Sequence, residues 1–263
     1  MAPKQLNRYS RIIEEIFKNN FKPKSQVFEF SREDIETVAS KLKIALPKNI
    51  GDLIYSFRYR TEFPASIKAQ TPDDKEWIIK GAAKGKYRFR LVDISRIIPR
   101  TDAIAVKIPD ATPEIIRHNA LGDEQALLAK VRYNRLIDIF LGISSFSLQN
   151  HLRTTVANVG QIEIDEVYVG VDKRGRQYII PVQAKGGHDK HGVVQTQQDV
   201  ACCEEKFPLL ICRPISAQFM DDEKIAMFEL KVEEDKVLVV EERHYQLVQA
   251  NEITDEDLRS YDK

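Results

Sequence analysis

Four polar side chains between residues 163 and 185 have the types and spacing that hydrolysis of a phosphodiester requires. Glu163 and Asp165 alternate within the run "QIEIDEVYVGV", and Gln183 and Lys185 alternate at the end of "YIIPVQAK". Because alternate residues of a strand share a face, each pair can point to the same side of a sheet. Oxygen ligands bind Mg²⁺, and a nearby lysine can orient or deprotonate a water and offset the charge of the phosphorane. One hairpin therefore offers both a metal site and a catalytic cation.

The loop between the two strands decides which acid lies opposite Gln183. A three-residue loop at 173–175, with Gly175 in the left-handed conformation, places Asp165 there. A two-residue loop would place Glu166 there instead, since a one-residue slip exchanges the faces of a strand. We expect the three-residue loop, because glycine suits its last position. The apolar residues of the first strand change faces after Asp165, which predicts a bulge next to the site.

The elements around this hairpin predict an α/β domain with a central mixed sheet over residues 112–250. Residues 251–263 form an acidic tail. Hydrophobic spacing predicts helices at 123–143 and 192–207, a helical or extended piece at 144–156, a strand at 209–219 and a hairpin within 224–248.

The acidic strand residue, the short hairpin and the apolar strand ending in Gln183-Ala184-Lys185 resemble the PD-(D/E)XK nuclease superfamily. The glutamine in place of the usual acid is similar to the Mrr-type branch of restriction endonucleases. The resemblance covers roughly residues 115–220. It implies a restriction-endonuclease-like fold with Asp165 as the principal metal ligand and Gln183 providing its side-chain carbonyl. Ala184 would provide its main-chain carbonyl, and Lys185 would act on the attacking water.

The resemblance also implies Mg²⁺ as the cofactor, with Mn²⁺ as a substitute. A neutral Gln183 leaves the ion short of one negative charge, so a second acid is needed. Glu163 and then Glu124 are the candidates for that acid. Ile164 precedes Asp165 where the superfamily usually has a proline.

The pattern of residues 1–96 predicts a different kind of domain. Residues 97–111, which contain proline, are the predicted linker. Helix, short strand, helix, turn, helix and hairpin follow one another, which is the order of a winged helix-turn-helix. Cations lie where such a domain contacts the phosphates of duplex DNA. They are Arg58 and Arg60 on the recognition helix and Lys80, Lys84, Lys86 and Arg88 on the hairpin. In the second domain, Lys190 follows the nuclease motif and is expected to lie in a loop near the DNA.

The distribution of charge along the chain is compatible with a polyanionic partner. The chain is neutral overall, yet residues 1–100 contain 21 Lys and Arg against 12 Asp and Glu, and residues 201–263 contain 8 against 16. No apolar run approaches the ~20 residues of a membrane span, and the amino terminus lacks a signal core, so we expect a cytoplasmic protein. Three cysteines without a CxxC pair indicate reduced thiols and disfavour a zinc site with His188 and His191.

Together these features predict a metal-dependent DNA endonuclease, most simply a restriction enzyme. A homodimer is expected, because one active site cuts one strand. Two alternatives stay open: a repair or junction-resolving nuclease of the same superfamily, and a non-catalytic DNA-binding regulator. The recognition sequence, any dependence on base modification and the cleavage pattern are not encoded in these motifs.

Overall fold

The structure is a computed structural model that divides into two compact units. One comprises Met1–Ile94 and Ala157–Gly160, and the other comprises Ser95–Val156 and Gln161–Lys263. The residues described are 7–59, 61–73, 75–83, 85–93, 97–119, 124–157, 159–186, 192–220, 223–233 and 236–261. Within these ranges, none of the helices combines the length and apolar character that crossing a bilayer needs.

The first unit is a small helical layer on a three-stranded antiparallel sheet. Its strands lie in the order β1-β3-β2. Its elements are α1 (Arg8–Asn20), β1 (Val27–Ser31), α2 (Arg32–Lys41), α3 (Gly51–Tyr59), α4 (Ala65–Lys68), β2 (Lys75–Ala83) and β3 (Lys86–Asp93). Ser31 and Asp34 form a capping box at the start of α2. Asn7 caps α1 by accepting a hydrogen bond from the Ser10 N–H at 2.8 Å.

Aromatic rings fill the core of this unit. The ring of Phe17 on α1 lies 5.3 Å from those of Phe28, Trp77 and Phe89, each in an edge-on arrangement. These three residues come from β1, β2 and β3, so one helical side chain joins all three strands. Edge-to-face aromatic pairs contribute about 0.5–1.5 kcal/mol beyond their buried area.

The second unit contains a mixed sheet, as the sequence predicts. Its strands follow the order β4-β11-β10-β9-β7-β6-β5, with the short β8 also paired to β7. Its elements are β4 (Ala105–Pro109), α5 (Glu114–Asn119), α6 (Glu124–Tyr133), α7 (Leu136–Leu141), β5 (Ser144–Val156), β6 (Gly160–Val171), β7 (Gln177–Lys185), α8 (Val193–Lys206), β8 (Ile211–Cys212), β9 (Ile215–Phe219), β10 (Lys224–Glu233), β11 (Lys236–Val248) and α9 (Asp255–Ser260). β7 runs parallel to β8 and β9 and antiparallel to β6.

The two faces of this sheet are covered by different helices. α6 and α7 pack on the face of Ile180, Val182 and Ala184. α8 packs against β7 and β10, and its Val193 joins Phe228 on the opposite face. The alternation of side chains along β7 therefore separates Val182 and Ala184 from Gln183.

The helix predicted at 123–143 is two helices, α6 and α7. Arg135 adopts a left-handed φ of 51° between them. The neighbouring Asn134 is buried, and its amide donates to the Thr112 hydroxyl at 2.9 Å while its carbonyl accepts from the Ala111 N–H at 2.7 Å. These contacts with a distant segment hold the chain out of helical geometry.

Two segments expected to lie outside the domain contribute to it. The predicted linker 97–111 includes β4, which pairs in parallel with β11. The predicted acidic tail includes α9, where Asp257 forms an ion pair with Lys107 of β4 at 2.9 Å. The strand predicted at 209–219 is interrupted at Pro214, which has no N–H to give to a ladder.

Candidate active site

The β6–β7 hairpin has the expected three-residue loop. Val171 pairs with Gln177 and Glu166 with Val182. Gly175 has a φ of 79°, and the Asp172 N–H donates to the Arg176 carbonyl at 3.1 Å. The predicted register is therefore confirmed over this ladder.

Glu166 lies on the other face of β6, away from the site. It is fully buried, and its Oε1 accepts from Arg132 Nε at 2.8 Å and from the Ser147 hydroxyl at 2.5 Å. Glu166 is thus a buried, ion-paired acid at a position that an apolar residue would usually take. This explains why the apolar pattern of β6 changes faces after Asp165. The ladder from Glu166 to Val171 shows no register shift, but it ends at Glu166, so the bulge or bend expected at Asp165–Glu166 stays a prediction.

Asp165 and Ala184 meet at the end of that ladder. Oδ2 of Asp165 accepts a hydrogen bond from the Ala184 N–H at 2.9 Å. Burial raises the pKa of Asp165 above its ordinary value, although this N–H and the Lys185 charge act in the opposite direction. The site thus holds a partly desolvated carboxylate beside the main chain of the Gln-Ala-Lys motif.

Gln183 is fully buried, and all its polar atoms are engaged. Its amide nitrogen donates to Asp199 Oδ1 and Oδ2 at 3.1 and 3.0 Å and to the Glu163 carbonyl at 3.3 Å. Its Oε1 accepts from Gln195 Nε2 at 2.6 Å. Gln195 and Asp199 both belong to α8, so this helix fixes the orientation of the Gln183 amide.

Asp199 is the residue that the sequence analysis missed. It is 2% exposed. Burial raises its pKa well above the ordinary range, the hydrogen bond from Gln183 acts in the opposite direction, and the charge of Asp165 reinforces the increase. The signal in the sequence was an acid on the apolar side of α8, one turn before Cys202 and Cys203. A buried acid is uncommon unless a cation, a metal ion or a proton compensates its charge.

Lys185 and Glu124 also come together. Lys185 Nζ lies 3.4 Å from Glu124 Oε1, and the lysine side chain is only 13% exposed. Glu124 is the first residue of α6. The structure thus brings the proposed catalytic lysine into an ion pair with one of the two candidate second acids.

Glu163, the other candidate, contacts two basic side chains of β5. Its Oε1 lies 3.1 Å from Arg153 Nη2 and 3.5 Å from His151 Nδ1. Among the described residues, no group of three or more His, Cys, Asp or Glu side chains is arranged to hold a metal ion. Any ion held here would therefore need the amide and main-chain oxygens of the Gln183–Ala184 segment besides carboxylates.

Three of the predicted DNA-binding residues, Lys80, Lys86 and Arg88, lie on strands β2 and β3 of the first unit. Arg88 pairs with Glu29 at 2.6 Å, and it stands across the ladder from Lys80. The Gly85 carbonyl accepts from the Arg32 N–H at 2.8 Å, which ties the hairpin turn to the start of α2. Lys86 pairs across the sheet with Ser31. Arg60, Lys84, Lys190 and the side chain of Arg58 lie outside the described residues, as do His188 and His191.

Comparison of the chain with protein-family models, with curated proteins and with solved structures found no match. The functional argument therefore depends on the geometry of these side chains.

Proposed function

We propose that the protein is a Mg²⁺-dependent DNA endonuclease. The observation that supports this most is the buried junction of Asp165, Gln183 and Asp199 with Lys185 beside it. Two desolvated carboxylates, an amide oxygen and a main-chain carbonyl are hard oxygen donors, which suit Mg²⁺. Burial raises the pKa of both acids, and a bound dication would compete with protons for their oxygens.

In this proposal Asp165, Gln183 Oε1 and the Ala184 carbonyl hold the ion, and Asp199 supplies the second negative charge. Asp199 replaces Glu163 and Glu124 in that role, because each of those acids contacts a basic side chain. The ion would supply Lewis-acid stabilisation of the phosphoryl oxygens and lower the pKa of a bound water.

Lys185 acts on the attacking water in this scheme. Its ammonium group donates a hydrogen bond that orients the water, and its charge offsets the negative charge that develops on the phosphorane. Glu124 holds Nζ by an ion pair at the mouth of the site. Such a pair fixes the lysine in one orientation before substrate binds.

The order of elements supports the same superfamily. α6 and α7, β5, β6, β7, α8 and β9 follow one another, with β7 and β9 parallel. This is compatible with the Mrr-type resemblance of the hairpin. The first unit would be a winged-helix DNA-binding domain, with α3 as its recognition helix and the β2–β3 hairpin as its wing. Restriction in the cytoplasm, by a homodimer, is the biological setting that we propose.

Cleavage of DNA by purified protein tests the proposal. We expect Mg²⁺-dependent cutting of a panel of methylated and unmethylated duplexes, abolished by EDTA and lowered about 10²–10⁴-fold by Lys185→Ala. Lys130→Ala is the matched control, because Lys130 is also shielded (19% exposed) and close to a glutamate, Glu223, at 3.9 Å. Cutting by Lys185→Ala at the wild-type rate would refute the catalytic assignment. Binding of every duplex with no cutting would favour the regulator instead.

A further inference from the structure

Strand β5 presents two exposed basic side chains next to the buried acids. The Arg153 and His151 side chains are 67% and 49% exposed, and both contact Oε1 of Glu163. Glu163 precedes Asp165 by two residues on β6, so the two acids share a face. Solvent-accessible cations therefore adjoin the proposed site from the edge strand of the sheet.

The backbone of β5 is irregular at this point. His151 has a φ of 47°, in the left-handed region that few residues other than glycine adopt. Residues in such regions cluster at functional sites, where the surrounding contacts hold them. Here the contact is the ion pair with Glu163, and the charge of His151 also acts on Asp165.

A phosphodiester that approaches this site meets several carboxylates. Glu124 and Glu163 would repel it, although Lys185 already neutralises part of the charge of Glu124. An exposed guanidinium next to the acids offsets this repulsion, because arginine binds phosphate oxygens through two parallel N–H groups. A histidine ring nitrogen adds a further donor to the same phosphate.

We infer that Arg153 and His151, held in place by Glu163, form a clamp for a phosphate of the DNA backbone next to the Asp165 site. That this DNA is also the substrate rests on the proposed function, whereas the binding itself does not. Glu163 is then a positioning residue for the side chains of Arg153 and His151, and we no longer propose it as a metal ligand.

The salt dependence of DNA binding tests the clamp. Binding of a fluorescent 20-base-pair duplex would be measured in EDTA, which prevents cutting, over a range of salt concentrations. Loss of one phosphate contact reduces the slope of log K against log salt by about 0.9. We expect that reduction and a several-fold weaker Kd for Arg153→Gln. His151→Ala should weaken binding at fixed salt.

Two further variants make the test specific. Arg243→Gln is the matched control, since Arg243 is 60% exposed on a strand and pairs with Glu241 at 2.9 Å; it should behave as wild type. Glu163→Gln keeps the guanidinium but removes the acid that positions it, so the salt slope should stay near that of wild type while Kd weakens by less than in Arg153→Gln. A general loss of folding would instead weaken binding equally in the Arg153 and the Glu163 variants.

The clamp would be overturned by an unchanged salt slope in Arg153→Gln, by equal losses in Arg153→Gln and Arg243→Gln, or by wild-type protein that does not bind DNA. Its failure is distinct from failure of the nuclease proposal. If wild-type protein cuts no DNA with Mg²⁺ while Arg153→Gln reduces the slope of log K against log salt by about 0.9, the clamp proposal is supported and the nuclease proposal is not. If wild-type protein cuts and the slope does not change, the nuclease stands without the clamp.

Discussion

Replacing Asp199 by asparagine should stabilise the metal-free protein at pH 8 and weaken its response to Mg²⁺. The unfolded chain has an aspartate pKa near 3.9, whereas burial raises the pKa of Asp199 well above that value in the fold. The folded protein therefore binds this proton more tightly than the unfolded chain. As the pH rises from the unfolded to the folded pKa, the free energy of unfolding falls.

The magnitude follows from two opposing contributions. Each unit by which the pKa is raised removes about 1.4 kcal/mol of stability above the folded pKa, and the asparagine variant recovers it. The variant keeps only one of the two acceptors that contact Gln183, and this loss costs about 1 kcal/mol. We therefore expect the variant to be more stable than wild type at pH 8, because the pKa of Asp199 is raised well above its unfolded value, with a flatter pH profile above the unfolded pKa.

Urea unfolding in EDTA measures this effect, and the two units provide an internal reference. Trp77 is the only tryptophan and is buried in the first unit, so its fluorescence reports that unit. Far-ultraviolet circular dichroism also reports the second unit, where the shift should appear. Adding Mg²⁺ should stabilise wild-type protein by RT ln(1 + [Mg²⁺]/Kd) and the variant by less.

Asp172→Asn serves as a control of opposite sign. Although burial acts against it, hydrogen bonds from Arg176 and from the Arg174 N–H lower the pKa of Asp172. This acid stabilises the fold above its unfolded pKa, so its asparagine variant should lose stability at pH 8. An Asp199→Asn variant that is less stable than wild type at pH 8, or whose pH profile runs parallel to that of wild type, would refute the reasoning.

Three other predictions concern the hairpin, the opposite face of the sheet and the wing. Gly175→Ala should cost about 1–2 kcal/mol in urea unfolding, because φ is 79° while no atom lies within 4 Å of an added Cβ. Arg132→Met should destabilise the second unit by about 3 kcal/mol, since Glu166 stays buried without its cation, and adding Glu166→Gln should restore much of the loss. Lys86→Ala should reduce the salt slope of DNA binding by about 1, whereas Arg88→Ala should reduce it less, because an acid already pairs with Arg88.

Local sequence signals were sufficient for the hairpin of the site. Gly175 determined the loop, the loop determined the register, and the register placed Asp165 on the face of Gln183. The mixed sheet and most helices also followed from hydrophobic spacing. These features depend on residues that are neighbours in the chain or across one turn.

Features that depend on distant contacts were not predictable. The break between α6 and α7 depends on contacts of Asn134 with Ala111 and Thr112. The burial of Glu166 depends on its ion pair with Arg132, a residue that is distant in the sequence. Asp199 reaches the site only because α8 packs on the face of β7 that presents Gln183.

The neutral Gln183 in the proposed metal site has a physical explanation in the packing of α8. A carboxylate accepts hydrogen bonds and cannot donate them. The amide nitrogen of Gln183 therefore faces Asp199, and Oε1 faces Gln195. A glutamate at position 183 would place two buried carboxylates in contact, with Asp165 as a third nearby, and like charges in a desolvated site oppose ionisation. The glutamine instead provides an oriented oxygen and binds the acid that supplies the missing charge. In the proposed site, Asp199 of α8 then contributes the negative charge that a glutamate on β7 would have contributed.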